Sequence, residues 1–353
     1  MRPRSQALAA AGLIVPLVIV AIVVGNLAMS PPPSGTPPLA GVSFGASTEP
    51  DPSTGISLPP TPSPDPSATP SPSPSPTPPG VDPLLGTDGR LTVLLLGTDY
   101  RASHPGNRTD AMMVVSIDPT TGKSAAFSVP RDTVDFPMPG SGVYGAKANA
   151  LYQHLESTMG DGGKGLKQAF ARAFGLEIDR YVLIGFTGVI KLVRAVGGVD
   201  VTLTAPYYDP EYWVTNTHRG WGLPAGTSHL DGANALIFAR SRKGDSDFAR
   251  ARRQQMLVMA AVTKVRKAGV ASLPTLLTIA GNTVRTDMPL DRAADVFALY
   301  STVDLATVNR TVFGPRKYEV SAGGTDYKLV LGECLKWIAA NFPPARPHGT
   351  WTQ

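Results

Sequence analysis

RLTVLLLGTD, residues 90–99, is an apolar run that ends in Gly97, Thr98 and Asp99. It shows neither a helical period nor an alternation, which is the pattern of a strand buried on both faces and emptying into a loop. Two similar runs follow, AMMVVSID (111–118) and KSAAFSVP (123–130), joined by Pro119-Thr120-Thr121-Gly122 as in a hairpin. Helical patterns come next at 147–159 and 162–175, then a strand at 180–186, a helix at 187–198 and a strand at 199–205. Further helices are expected over roughly 247–267, 272–282, 290–300 and 327–341, with a last strand at TVNRTVFG (307–314). Strands and helices alternate without a break in composition. This predicts a single three-layer α-β-α domain with a mixed central sheet over residues 84–344. Residues 207–230 show no periodicity and read as a long irregular loop, a lid or a plain crossing.

The sequence before this domain is of a different kind. Residues 7–29, ALAAAGLIVPLVIVAIVVGNLAM, carry no charge and are long enough at ~1.5 Å per residue to cross ~30 Å of hydrocarbon. They also lack a good signal-cleavage site, so an uncleaved transmembrane anchor is expected. Arg2 and Arg4 precede the span and the next positive charge is Arg90, which puts residues 1–6 in the cytoplasm and everything after Met29 outside. Residues 30–83 hold most of the chain's 35 prolines among serines and threonines. They have nothing to bury and read as a disordered, extended spacer; residues 345–353 read as a short tail. The net charge is +5, and because residues 1–86 carry −2, the folded part carries +7. A basic balance by itself fits nucleic acid, anionic lipid or a phosphorylated substrate, and an external location removes nucleic acid. The lone Cys334 reads as a core residue and excludes an intrachain disulfide. His104, His154, His218 and His229 have no metal-ligand spacing.

ARSRKGDSDFARARRQQ (239–255) gathers six cationic side chains and two aspartates. On a helix starting near Asp247, with ~100° per residue, Gln254, Leu257, Val258, Ala261 and Val265 fall within about 80° of Arg250, while Arg252, Met259 and Arg266 lie opposite. Arg250 and Gln254 thus share an apolar face, and a guanidinium there requires an anionic partner. Arg240 and Arg242, two apart, would point the same way in an extended segment and converge with Arg250. A plain ion-pair network with Asp245 and Asp247 is the alternative. Similar chemistry recurs at the strand ends: Asp99 after the first run, Arg108 and Asp110 before the second, Arg131 and Asp132 after the third. Carboxylates and arginine forks at strand ends are what a hard divalent cation and a pyrophosphate require.

LLLGTD, NRTDAMMVVSID, FSVPRDT, KANALY, AVGGVDV and LDGANALIFARSRKGDSDFARARRQQ, in this order over about 90–260, resemble the LytR-CpsA-Psr family of membrane-anchored cell-envelope phosphotransferases. One departure is Ala249, where the family usually has glycine. The resemblance implies transfer of a glycopolymer from a polyprenyl-pyrophosphate donor to a hydroxyl of peptidoglycan, with the prenyl chain in the apolar interior behind Arg250. It implies Mg²⁺, or Mn²⁺ in its place, on Asp99 and Asp110. Arg108, Arg131, Arg240, Arg242, Arg250 and Gln254 would grip the pyrophosphate. Lys147 and Asn149 match a family motif in substrate contact or support. Asp110, Arg131, Asp132 and Arg250 are the candidate catalytic groups, with Asp110 and Asp132 the candidates to take the proton. A lipid-pyrophosphate hydrolase would use the same groups, whereas a non-catalytic binder of lipid-linked glycans could rely on arginines alone, and the paired aspartates argue against it. A transcriptional attenuator fits neither the topology nor the absence of a helix-turn-helix pattern.

Overall fold

The computed structural model describes residues 84–99, 107–289 and 292–345. The stretches read as anchor (7–29) and spacer (30–83), and His104, lie outside them. Among the described residues no helix is long and apolar enough to cross a membrane.

The strands are β1 (Leu91–Thr98), β2 (Thr109–Ile117), β3 (Ser124–Val129), β4 (Phe136–Pro137), β5 (Val143–Tyr144), β6 (Arg180–Gly185), β7 (Val199–Leu203), β8 (Tyr207–Trp213), β9 (Arg219–Leu223), β10 (Gly226–Leu230), β11 (Val284–Thr286), β12 (Asn309–Val312), β13 (Glu319–Gly323) and β14 (Asp326–Leu329). The helices are α1 (Leu151–Met159), α2 (Gly162–Phe174), α3 (Phe186–Ala195), α4 (Gly232–Arg240), α5 (Asp247–Ala268), α6 (Leu273–Thr283), α7 (Ala293–Thr302) and α8 (Leu331–Asn341).

The central sheet has the order β11-β6-β1-β2-β3-β12. It is mixed: β1 runs antiparallel to β2 and parallel to β6, and β12 runs parallel to β3. Every residue of β1 and β2 is buried, as the unbroken apolar runs predict. Leu91, Val93 and Leu95 face a core shared with α3, α4, α5, α6 and α7. Leu94 and Leu96 face the other core, where α1, α2 and α8 pack and Phe127 stacks on Phe313 at 4.6 Å. The three-layer expectation therefore holds, with Cys334 buried in the second core.

Four expectations need correction. Residues 207–230 are not an irregular loop: β8 pairs β9 and β10 pairs β7, all antiparallel. Their residues are mostly exposed, so no apolar period marks them. Residues 232–240 form a helix that was not foreseen, capped by the Asp231 carboxylate, which accepts from Asn234 N at 2.8 Å. The final helix starts at Leu331 rather than Tyr327, because Tyr327 sits in β14 and bonds the 132–134 loop. The strand within 307–314 is not the last, since the β13–β14 hairpin follows it.

Asp179 ties β6 to β1. Its Oδ2 accepts from Thr92 N at 2.6 Å, and its own N donates to Thr92 O at 2.8 Å. Burial pushes its carboxyl from 3.8 up to about 8. The native state therefore keeps a proton that the unfolded chain has released, and stability falls as pH rises from about 4 towards about 8. Asp179→Asn keeps an acceptor but cannot ionise. Melting curves across that range should fall less steeply for the variant than for the wild type, and parallel curves would refute the assignment.

Candidate active site at the strand ends

β2 starts at Thr109-Asp110, and β3 runs out into Pro130-Arg131-Asp132. Because the strands are antiparallel neighbours, with Met112 opposite Val129, these groups meet at one edge of the sheet. Arg131 Nη1 donates to Asp110 Oδ1 at 2.8 Å, and Asn149 Nδ2 donates to the same oxygen at 3.1 Å. Asn149 is held by a single 3-10 turn, Ala148–Ala150, sewn to the 131–133 loop through Ala148 N to Thr133 O (2.7 Å) and Asn149 N to Arg131 O (3.2 Å). Lys147, one residue earlier, reaches Asp132 Oδ1 at 2.8 Å and Asp326 Oδ1 at 3.1 Å.

Asp110 is 2% exposed, and its Oδ2 has no hydrogen-bond partner. Burial pushes its pKa up to about 7, aided by the charge of Asp99 and opposed by Arg131 and Asn149. That oxygen keeps its acceptor capacity unused.

The second half of the cluster comes from α5. Ser246 caps the helix by accepting from Ala249 N at 3.2 Å, which fixes Asp247 in the first turn, where the helix dipole favours a carboxylate. Asp247 Oδ1 receives Arg242 Nε and Arg250 Nη1, each at 2.9 Å, while Oδ2 lies 3.8 Å from Arg131 Nε. Burial would raise the Asp247 pKa, but Arg250, Arg242 and Arg131 hold it below the ordinary range. Arg250 is 2% exposed, and burial pulls its pKa down to about 10. As the helical wheel predicts, Arg250 and Gln254 are buried and Arg252 is exposed.

The structure thus joins Asp110, Arg131, Asp132, Lys147, Asn149, Arg242 and Arg250 into one network. Four expected residues stand differently. Arg240 is the last residue of α4 and not part of an extended pair with Arg242; its guanidinium lies over the Phe186 ring at 4.4 Å. Gln254 donates to Ala239 O at 3.3 Å, bracing α5 against α4. Arg108 is exposed, and its backbone exchanges hydrogen bonds with Asp99: Arg108 N to Asp99 Oδ1 at 2.9 Å, and Asp99 N to Arg108 O at 3.1 Å. Asp99 itself is half-buried at the exit of β1.

Asp247 and Arg253 matter more than the sequence suggested. The signal for Asp247 was a carboxylate three residues before Arg250 on one helix face. Arg253 sits only about 60° from Arg250 on the same wheel. It is 4% exposed, donates to Phe238 O at 3.2 Å and to Ser241 O, pairs with Asp245, and lies over Tyr207 at 4.1 Å. Buried Asp209 completes this frame by accepting from Ser241 Oγ (2.6 Å) and from the backbone of Arg242 and Lys243 (2.9 Å each). Arg253 is a structural arginine. Arg253→Met should lower unfolding free energy by about 3–5 kcal/mol, since it strands buried acceptors. Arg252→Ala should stay within about 0.5 kcal/mol of wild type. Denaturant titration of both variants checks the contrast.

The profile of the LytR_cpsA_psr family matches residues 67–331. The chain is 31% identical over 242 residues to the polyisoprenyl-teichoic acid–peptidoglycan teichoic acid transferase TagU of Oceanobacillus iheyensis, an alignment covering 65% of this chain and 71% of that one. It is 30% identical over 302 residues to the cell wall biosynthesis protein LcpA of Corynebacterium glutamicum, covering 74% of this chain and 56% of that one. The crystal structure of Bacillus subtilis TagV superimposes with a TM-score of 0.57 at 22% identity, covering 75% of this chain and 99% of TagV, which is a likeness of fold. With the family profile spanning most of the sequence and the expected mixed sheet in place, the chain belongs to the LytR_cpsA_psr family.

Proposed function

We propose that this protein is a membrane-anchored, extracytoplasmic phosphotransferase that moves a glycopolymer from a polyprenyl-pyrophosphate carrier to a hydroxyl of the cell-wall peptidoglycan. The observation that carries the reading is the convergence of Arg131, Arg242 and Arg250 on Asp247, with Arg131 bonded as well to the buried Asp110. Three guanidinium groups at one sheet edge suit the non-bridging oxygens of a pyrophosphate. Relatives named as polyisoprenyl-teichoic acid transferases support the donor class.

In this reading a sugar hydroxyl attacks the phosphorus next to the glycan. A new phosphorus–oxygen bond forms, the bond to the bridging oxygen breaks, and prenyl phosphate leaves. The hydroxyl proton passes to a carboxylate of the cluster, Asp110 or Asp132. Arg131, Arg242 and Arg250 neutralise the charge that builds on the transferring and leaving oxygens. Asn149 and Lys147 hold Asp110 and Asp132 in place at 3.1 and 2.8 Å.

Among the described residues no group of three or more acidic, histidine or cysteine side chains is arranged for a metal. Two carboxylates still fit Mg²⁺, which commonly takes one or two protein carboxylates and completes its shell with phosphate and water. Asp110, with its unpartnered Oδ2, and Asp99 would hold it, and the ion would supply charge neutralisation at the phosphates. The expected seat for the prenyl chain is an apolar slot between the sheet (Met113, Val115, Ala126) and α5 (Val258, Val262), with only about 30 Å³ open. A lipid tail therefore has to part α5 from the 303–308 segment to enter.

The test uses the full chain in detergent micelles with a geranyl-pyrophosphate-linked sugar and Mg²⁺, following release of geranyl phosphate. Chelator should abolish release, and Arg131→Ala or Asp110→Ala should lower it by about 10²–10³-fold with the domain still folded. Full turnover in both variants would sink the site. Wall glycan fragments distinguish transfer, which gives a covalent phosphodiester product, from hydrolysis, which does not.

A further inference from the structure

β1 and β6 are parallel, with Thr98 opposite Gly185, so their carboxyl ends open on the same side of the sheet. Between those ends and the α3–α6 helix pair lies a groove of about 960 Å³, at the upper end of the roughly 300–1,000 Å³ usual for ligand sites. Its floor depends on Gly188, where a β-carbon would meet the Ile184 side chain at 2.6 Å and Thr283 Cβ at 3.2 Å. Glycine therefore lets the two helices approach and shapes the trough.

The chemistry of this groove differs from that of the other openings. The slot under α5 is apolar, and a second groove of about 630 Å³ beside the exposed face of α5 is lined by Arg252, Arg310 and Lys317. The groove at the strand ends offers the hydroxyls of Thr187 and Thr283, the amides of Asn107 and Asn282, and the Phe186 ring. Its cations are the exposed Lys191 and Arg285, the latter paired with Glu156 at 2.7 Å. Neutral donors and acceptors beside an aromatic ring suit a chain of sugar hydroxyls and acetamido groups. The groove also borders two of the residues expected at the site. Thr98 directly precedes Asp99, and Phe186 carries the guanidinium of Arg240.

A phosphotransferase of the kind proposed above needs a third opening. The arginines take the pyrophosphate and the slot takes the tail, which leaves the sugar chain without a seat. Resting on that reading, we propose that the groove walled by Phe186–Lys191 and Gly281–Arg285 is the saccharide subsite, which holds the wall glycan and presents its hydroxyl towards Asp99 and Asp110.

Gly281 gives a clean obstruction, because a β-carbon there meets nothing within 4 Å and the position is helical. Gly281→Phe fills the trough from one wall, and Lys191→Glu alters the opposite wall in case the first variant folds poorly. The full chain in micelles is assayed with a geranyl-pyrophosphate-linked disaccharide as donor and a β-1,4-linked oligosaccharide of N-acetylglucosamine and N-acetylmuramic acid as acceptor. Donor cleavage by water should stay within about twofold of wild type while the acceptor KM rises at least about tenfold. If the KM rises instead only for a donor carrying a longer glycan, the groove seats the donor's saccharide, and the subsite assignment stands with the source changed. Unchanged kinetics in both arms overturn it. If the wild type cleaves no donor at all, the phosphotransfer reading fails by itself. Calorimetric titration of the same oligosaccharide then decides the groove: weaker binding to Gly281→Phe supports it, and equal or no binding to both chains overturns it.

Discussion

Three guanidinium groups converge on one carboxylate, and the rest of the candidate site is arranged around that meeting. Asp247 receives Arg242 and Arg250 directly and lies 3.8 Å from Arg131. Removing any of these charges from water uncompensated would cost several kcal/mol. The carboxylate keeps the three arginines desolvated and oriented. Under the function proposed above, an incoming pyrophosphate would compete with Asp247 for them, so an ion-pair network and an anion site are compatible.

The carboxylate's position is itself a consequence of local structure. Ser246 caps α5, so Asp247 falls in the first turn and Arg250 one turn further on the same face. Arg253, a turn beyond, is spent on structure: it binds the carbonyls of Phe238 and Ser241 and pairs with Asp245. With Asp209 beneath the 241–243 backbone, it sets where Arg242 leaves the chain. The arginines of this stretch thus divide into those that frame the loop and those that face the cluster, although their charge is the same.

The central strands were legible because they are buried on both faces and so cannot carry polar residues until they end. Asp99, Asp110 and the pair Arg131-Asp132 stand where those runs begin or stop. The inward face of α5 was legible for the same reason, since its period is that of a helix with one side in a core. The hairpins of residues 207–230 were not, because exposed strands lack an apolar alternation. The helix at 232–240 was also missed, and with it the placement of Arg240 at a helix end, with its guanidinium over the Phe186 ring.

Sequence alone determined the layers of this domain and the side chains with chemistry at the strand ends, because both follow from which residues can bear burial and which cannot. It did not determine the pairing. That Asn149 reaches Asp110, that Arg131 comes within 3.8 Å of Asp247, and that a polar groove opens beside Thr98 all depend on contacts between residues far apart in the chain. Those contacts exist only once the helices have packed on the sheet, since packing fixes the distances over which charges and hydrogen bonds act.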